Sequence, residues 1–249
     1  MTEPSESIQI QKSDGIGEIR FFSPKANSLS LSLLSQLTHA IDVYSADPAV
    51  KVILLCSSGE GSFCGGASFD EFQRISTLAE SEQFFMGFAN VILAGRRSPK
   101  LIVARVQGKA VGGGVGLIAA ADYACASASA AARLSELELG IGPFTIGPAV
   151  ERKIGLAAFS AMSIDCAWRD ADWLLLHGLF SSVSNPKSLD GDVGKLLDSV
   201  RKVSAEAAKE LKRMLWHGSQ GWEELLPERA RTSGRLLLEA RARKASAGN

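Results

Sequence analysis

An α/β fold follows from three features of this sequence. Residues 50–56, VKVILLC, are apolar on both faces, which suits an interior strand of a sheet covered by helices. Residues 100–122 pass from a β-branched run, Leu101-Ile102-Val103-Ala104, through Gly112-Gly113-Gly114 into a small-residue helix. Between such strands lie segments whose apolar residues recur at helical spacing, beginning with Leu34, Leu37, Ala40, Ile41 and Tyr44. A chain of 249 residues then predicts one large domain, or one domain with a helical extension.

Taken in order, Ile8-Gln9-Ile10-Gln11 alternates, Asp14-Gly15 turns, and residues 16–22 alternate again, which is a hairpin. After Pro24-Lys25-Ala26-Asn27-Ser28 the first helical stripe runs to a stop at Asp47-Pro48. The strand 50–56 follows, and a polar loop, 57–62, delivers Phe63-Cys64-Gly65-Gly66-Ala67-Ser68-Phe69. Residues 71–97 read as helical sequence, with Phe72, Ile75, Phe84, Phe85, Phe88, Val91 and Ile92 on an apolar side expected to serve the core. Beyond the glycine cluster, 123–127 is a short strand and 128–132 a turn. In Leu134-Ser135-Glu136-Leu137-Glu138-Leu139, an extended backbone sets Glu136 and Glu138 on one face. A helix is expected over 147–159, the sequence stays apolar through 162, and a short helix is expected over 170–176. A polar hinge over 181–192 precedes amphipathic helices at 193–216 and 222–244, and residues 245–249 are expected to fray.

The 27 basic and 27 acidic side chains cancel, so the chain has no general attraction to nucleic acid or to an anionic membrane. Lys202, Lys209, Lys212 and Arg213 cluster on one helix and read as a solvated face. Cys56, Cys64, Cys125 and Cys166 form no C-x-x-C pair and sit among apolar or small residues. Buried free thiols in a reducing compartment are expected, with no metal site. The acidic N-terminal stretch lacks an apolar core, and the uncharged run 110–121 is too short to span a bilayer, so a soluble cytoplasmic protein is expected. Spacing places none of His39, His177 and His217 near a glycine turn, and no G-x-S-x-G elbow marks a serine hydrolase.

Three consecutive glycines cost helix stability, and they let a ligand approach backbone N–H groups at the positive end of a helix. The dinucleotide pattern G-x-G-x-x-G fails because Leu117 stands where its third glycine belongs, and no phosphate loop occurs elsewhere. Two readings remain: close helix–strand packing, or an oxyanion hole worth roughly 2.7–4 kcal/mol per donor. Gly65-Gly66 also follows a strand, so two turns can bring two donors to one point. Glu136 stands in apolar sequence, where desolvation raises a carboxyl pKa and suits it to acid/base work; a solvated edge is the alternative.

In this order, the two glycine turns and the carboxylate resemble the crotonase, or enoyl-CoA hydratase/isomerase, superfamily over about residues 7–240. Phe63-Cys64-Gly65-Gly66-Ala67 is similar to its F-C-A-G-A-D motif, and residues 106–114, VQGKAVGGG, to its N-G-x-A-x-G-G-G. The resemblance implies repeated ββα units forming a spiral core over 1–185 and a C-terminal helical region, 186–249, that contributes to trimer contacts. It implies a homotrimer or a dimer of trimers, and a coenzyme A thioester substrate with no separate cofactor. Carried over residue by residue, the N–H groups of Ala67 and Gly113 form the oxyanion hole and Glu136 is the catalytic glutamate. Lys25, Ala26, Ser28 and Leu29, with Gly65, Ala67, Ser68 and Phe69, fall in the wall that holds coenzyme A. The basic helix around Lys212 is a second place to meet its phosphates.

Two departures matter. Family hydratases carry a second glutamate where this chain has Gly116, and Ser68 replaces a common aspartate. Hydration as usually arranged therefore lacks a partner unless Glu138, Asp70 or Glu71 supplies it. Double-bond isomerisation needs one carboxylate and is placed ahead. Hydration, including of branched or methylglutaconyl-type substrates, is the alternative, followed by decarboxylation or hydrolysis of an acyl-CoA and by a scaffold without catalysis. Phe84, Phe85, Phe88, Phe144 and Trp168 line the acyl pocket or fill the core.

Overall fold

The computed structural model describes residues 5–247, so the start of the acidic N-terminal stretch and the last two residues of the segment expected to fray lie outside the described residues. The first half of the chain forms β1 (Ser7–Ser13), β2 (Ile16–Phe22), α1 (Leu31–Ala46), β3 (Val52–Ser57), α2 (Phe69–Arg74) and α3 (Leu78–Arg97). It continues with β4 (Leu101–Val106), β5 (Ala110–Val111), α4 (Gly113–Ala120), β6 (Tyr123–Ser127) and β7 (Ala131–Arg133). The second half adds α5 (Gly147–Asp165), β8 (Arg169–Asp170), α6 (Ala171–Leu176), β9 (Ser182–Ser184), α7 (Leu189–Val200), α8 (Ala205–Leu215) and α9 (Trp222–Ala247). Units of two strands and a helix recur as β1-β2-α1, β4-β5-α4 and β6-β7-α5.

The main sheet has the order β1-β2-β3-β4-β6-β9, antiparallel at the first hairpin and parallel from β2 onward. A smaller sheet has the order β5-β7-β8. Every residue of β3 is buried because the sheet is covered on both faces. Ile53 and Leu55 face the main core with α1 and α3, while Val52 and Leu54 pack with Val103 and Cys125 under Leu189, Val193 and Leu197 of α7. The two-sided hydrophobicity of this strand is thereby explained. Along the opposite side of α3, α9 packs lengthwise.

Several expected helices are broken, each by a local cap. The run 71–97 divides at Ile75-Ser76-Thr77: Thr77 Oγ1 accepts from Glu80 N at 3.2 Å, and the Glu80 carboxylate accepts from Thr77 N at 3.1 Å, a reciprocal capping box that starts α3. Residues 193–216 divide where Ser204 caps α8. The expected hinge over 181–192 is ordered structure, since Ser182–Ser184 pairs with β6 and Leu189 already belongs to α7. The Glu136–Glu138 alternation does not form an extended face. Residues Leu137–Leu139 make a single 3₁₀ turn instead.

Lys212 corrects the reading of a solvated basic face: it is 2% exposed. Its Nζ meets Asp122 Oδ2 at 3.0 Å and donates to Lys100 O at 2.7 Å. Asp122 also accepts from Ile102 N at 2.8 Å and Trp216 Nε1 at 2.7 Å. Beside it, Arg152 of α5 lies over the Trp216 ring at 3.8 Å and donates to Ala119 O in the last turn of α4 at 3.1 Å. Lys153 donates to Asp122 O at 2.8 Å. All four cysteines are buried and free.

Candidate active site

Two isolated bridges bring the glycine turns together. Cys64 pairs with Ala110, its carbonyl accepting from Val111 N at 3.0 Å, so the loop after β3 lies against the approach to α4. Leu29 pairs with Ala67 in parallel: Leu29 N donates to Gly66 O, and Ser68 N donates to Leu29 O, each at 2.8 Å. In such a bridge the two residues flanking Ala67 face Leu29, so the Ala67 N–H turns away from it; Ala67 also lines a cavity. Gly113, the first residue of α4, lines the same cavity and has no intrahelical acceptor for its N–H. Neither N–H is engaged by a protein acceptor among the described residues. Both residues expected to supply donors thus line one cavity, with their N–H groups unengaged among the described residues.

Gly112 makes this approach possible. Its φ of 50° is unfavourable for a side-chain-bearing residue, and a Cβ there would lie 2.8 Å from Glu136 Oε1. The glutamate carboxylate thus rests directly on the backbone that enters the helix. Its own position is fixed by the 3₁₀ turn, in which Glu136 O accepts from Leu139 N and Ile141 N, each at 3.1 Å. The residue keeps partial exposure, but Oε2 is buried without a hydrogen-bond partner among the described residues. Burial pushes the Glu136 pKa up to about 7, against the weaker opposing pull of nearby backbone amides and Arg133.

The cavity has a volume of about 220 Å³, and its walls are mainly apolar, with Phe72, Phe85, Phe88, Ile141 and Ile146 prominent. The phenylalanine stripe of α2 and α3 therefore serves both core and pocket: Phe84 is buried behind, edge-on to Phe85 and Phe88 at centroid distances of 5.7 and 6.1 Å. Phe144 faces a neighbouring hollow instead, and Trp168 is a partly exposed ring beneath Lys109 and Arg133.

Among the expected site residues, Gly65, Ala67, Phe69, Gly113 and Glu136 line the cavity. Lys25, Ala26, Ser28, Leu29 and Ser68 instead shape the loop beside it. Lys25 is an exposed partner of Asp70, Ala26 O accepts from Gly65 N at 2.8 Å, Ser28 and Leu29 are buried, and Ser68 caps α2. The three carboxylates considered as a second acid or base are all engaged elsewhere: Asp70 with Lys25, Glu71 Oε2 with Leu31 N at 2.7 Å, and Glu138 with Arg133 at 3.0 Å. A further feature escapes sequence reading. A Cβ at Gly116 would lie 2.6 Å from Ile146 Cγ2, so the side chain that precedes α5 fills the space a larger residue would need. None of the three histidines lines the cavity, and His177 stacks on Trp173 at 3.9 Å. No cluster of metal-ligating side chains occurs, and no helix is long and apolar enough to cross a membrane, among the described residues.

Comparison with known proteins meets this geometry from outside. The sequence is 28% identical to a crotonyl-CoA hydratase of Syntrophomonas wolfei, covering 77% of this chain and 74% of the relative. It is 23% identical to a trans-2-decenoyl-[acyl-carrier-protein] isomerase of Streptococcus mutans, covering 85% and 82%. The fold matches a crystal structure of enoyl-CoA hydratase from Bacillus halodurans with a TM-score of 0.86 at 19% identity, over 94% of this chain and 98% of that one. The family described as enoyl-CoA hydratase/isomerase matches residues 11–236, a span that contains both glycine turns, Glu136 and every strand from β2 onward. By that match across nearly its whole length, the chain belongs to the enoyl-CoA hydratase/isomerase family of the crotonase superfamily.

Proposed function

We propose that this chain is an enoyl-thioester isomerase that moves a carbon–carbon double bond through a dienolate, with Glu136 as its acid and base. The observation that carries this reading is the lone carboxylate. Glu136 is the acidic residue in the cavity wall, while Ile146 occupies the space beside Gly116. In the 3-enoyl to 2-enoyl direction, the thioester oxygen accepts from Ala67 N–H and Gly113 N–H. The ionised Glu136 removes a proton from the α-carbon, and the electron pair spreads over the dienolate to the oxygen held by the two donors. The same carboxyl then returns the proton to the γ-carbon, leaving the double bond conjugated with the carbonyl. No redox partner and no cofactor beyond the carrier in the substrate enters this cycle.

Coenzyme A as the carrier is supported by the family and by the hydratase relative. Hydration is the second reading, favoured by that same relative, and it requires a water activated without a second carboxylate. A homotrimer or dimer of trimers in the cytoplasm completes the proposal. The apolar hollow bordered by the exposed Leu137 and Ile164, beside Phe144 and Phe159, supports association, and sedimentation at monomer mass would refute it. The chemistry is tested by giving the purified protein 2-enoyl-CoA and 3-enoyl-CoA separately and resolving products by mass. Isomer without a gain of one water is expected; a hydrated product would replace this mechanism with the second reading.

A further inference from the structure

Two hydroxyls in the cavity wall have no part in the cycle above. Thr145 lies on the segment entering α5, and Ser233 lies within α9. They are 4% and 1% exposed, both line the cavity that holds Glu136, and neither has a hydrogen-bond partner among the described residues. A buried hydroxyl left unpaired costs folding free energy, a cost relieved when a ligand oxygen meets it. The rest of the wall sets the chemistry of that oxygen. No Lys, Arg or His lines the cavity, so a carboxylate carried into it would be desolvated beside Glu136 without a compensating cation. Phe69 in the wall is 59% exposed.

Resting on the thioester reading, we infer that the acyl group this pocket selects bears a neutral oxygen, hydroxyl or keto, beyond its reacting carbons, bonded by Thr145 and Ser233. Plain acyl chains satisfy the phenylalanine walls and leave both hydroxyls unpaired. Dicarboxylic chains add an uncompensated charge.

Equilibrium binding of saturated thioesters isolates this selection from turnover. Calorimetric titration would compare hexanoyl-CoA, its 5-hydroxy and 5-oxo derivatives, and adipoyl-CoA, using wild type, Thr145→Val and Ser233→Ala. Expected is a preference of about tenfold for an oxygenated derivative over hexanoyl-CoA, with adipoyl-CoA weakest, and a collapse of that ratio toward one in the variants. Equal wild-type affinity for plain and oxygenated chains overturns the inference, as expected of hydroxyls that serve only an enclosed water. So does a preference that survives both substitutions. The wild-type comparison stands even where a variant fails to fold. Binding of hexanoyl-CoA without preference defeats this inference and leaves the thioester reading intact, whereas no binding of any thioester defeats both.

Discussion

Glu136 shows how one side chain couples chemistry to stability. Its pKa is raised from 4.5 to about 7, so the folded state holds its proton more tightly than the unfolded chain does. The resulting stabilisation is full below about pH 4.5 and is lost as pH rises through about 7, by roughly 3 kcal/mol at 1.36 kcal/mol per unit. Glu136→Gln is therefore expected to melt higher than wild type at pH 8 and to lose that advantage at pH 4, as read by thermal denaturation. Its turnover should fall by about 10²–10⁴, and wild-type kcat/KM for a 3-enoyl thioester should decline below about pH 7 as the base is protonated. A variant that keeps its rate, or a flat wild-type profile, would remove Glu136 from the mechanism. Part of this is legible in the sequence: a carboxylate among leucines and two glycine turns after strands are local signals. Ile146 against Gly116, and the hydroxyls of Thr145 and Ser233, are not, because each acquires its meaning from an element distant in sequence.

At the level of elements, the proposed chemistry rests on the entry to α4. Gly112 holds a left-handed backbone there while Glu136 lies where its Cβ would be. Gly112→Ala is expected to cost about 1–3 kcal/mol in strain and to reduce kcat by about 10² through displacement of the carboxylate and the Gly113 donor. Denaturant melts and steady-state kinetics on the same preparation separate the two; wild-type turnover would refute the assigned geometry. The strands and most helices follow from period and punctuation. Where the helical run over 71–97 broke, Thr77 and Glu80 carried a capping signature in the sequence, yet the continuous apolar stripe masked it. The segment 181–192 reads as a polar hinge for another reason. A three-residue edge strand contributes too little pattern to stand out from a polar loop.

Across the whole molecule, the buried group around Asp122 joins the end of α4, the start of β4, α5 and α8. Lys212→Ala would leave Asp122 enclosed with its cation gone, and a loss of about 3–5 kcal/mol is expected in urea denaturation. A loss under 1 kcal/mol would show that water reaches the site. Spacing along one helix had made Lys212 a surface residue because its partner comes from another part of the chain. The same group reaches the cavity through α4, whose eight residues span about 12 Å, from the Gly113 N–H at one end to the carbonyl of Ala119 held by Arg152 near the other. A cation at the negative pole of so short a helix leaves its positive pole less opposed. Residue 152, which touches nothing in the cavity wall, thereby helps set the field that the Gly113 N–H presents there.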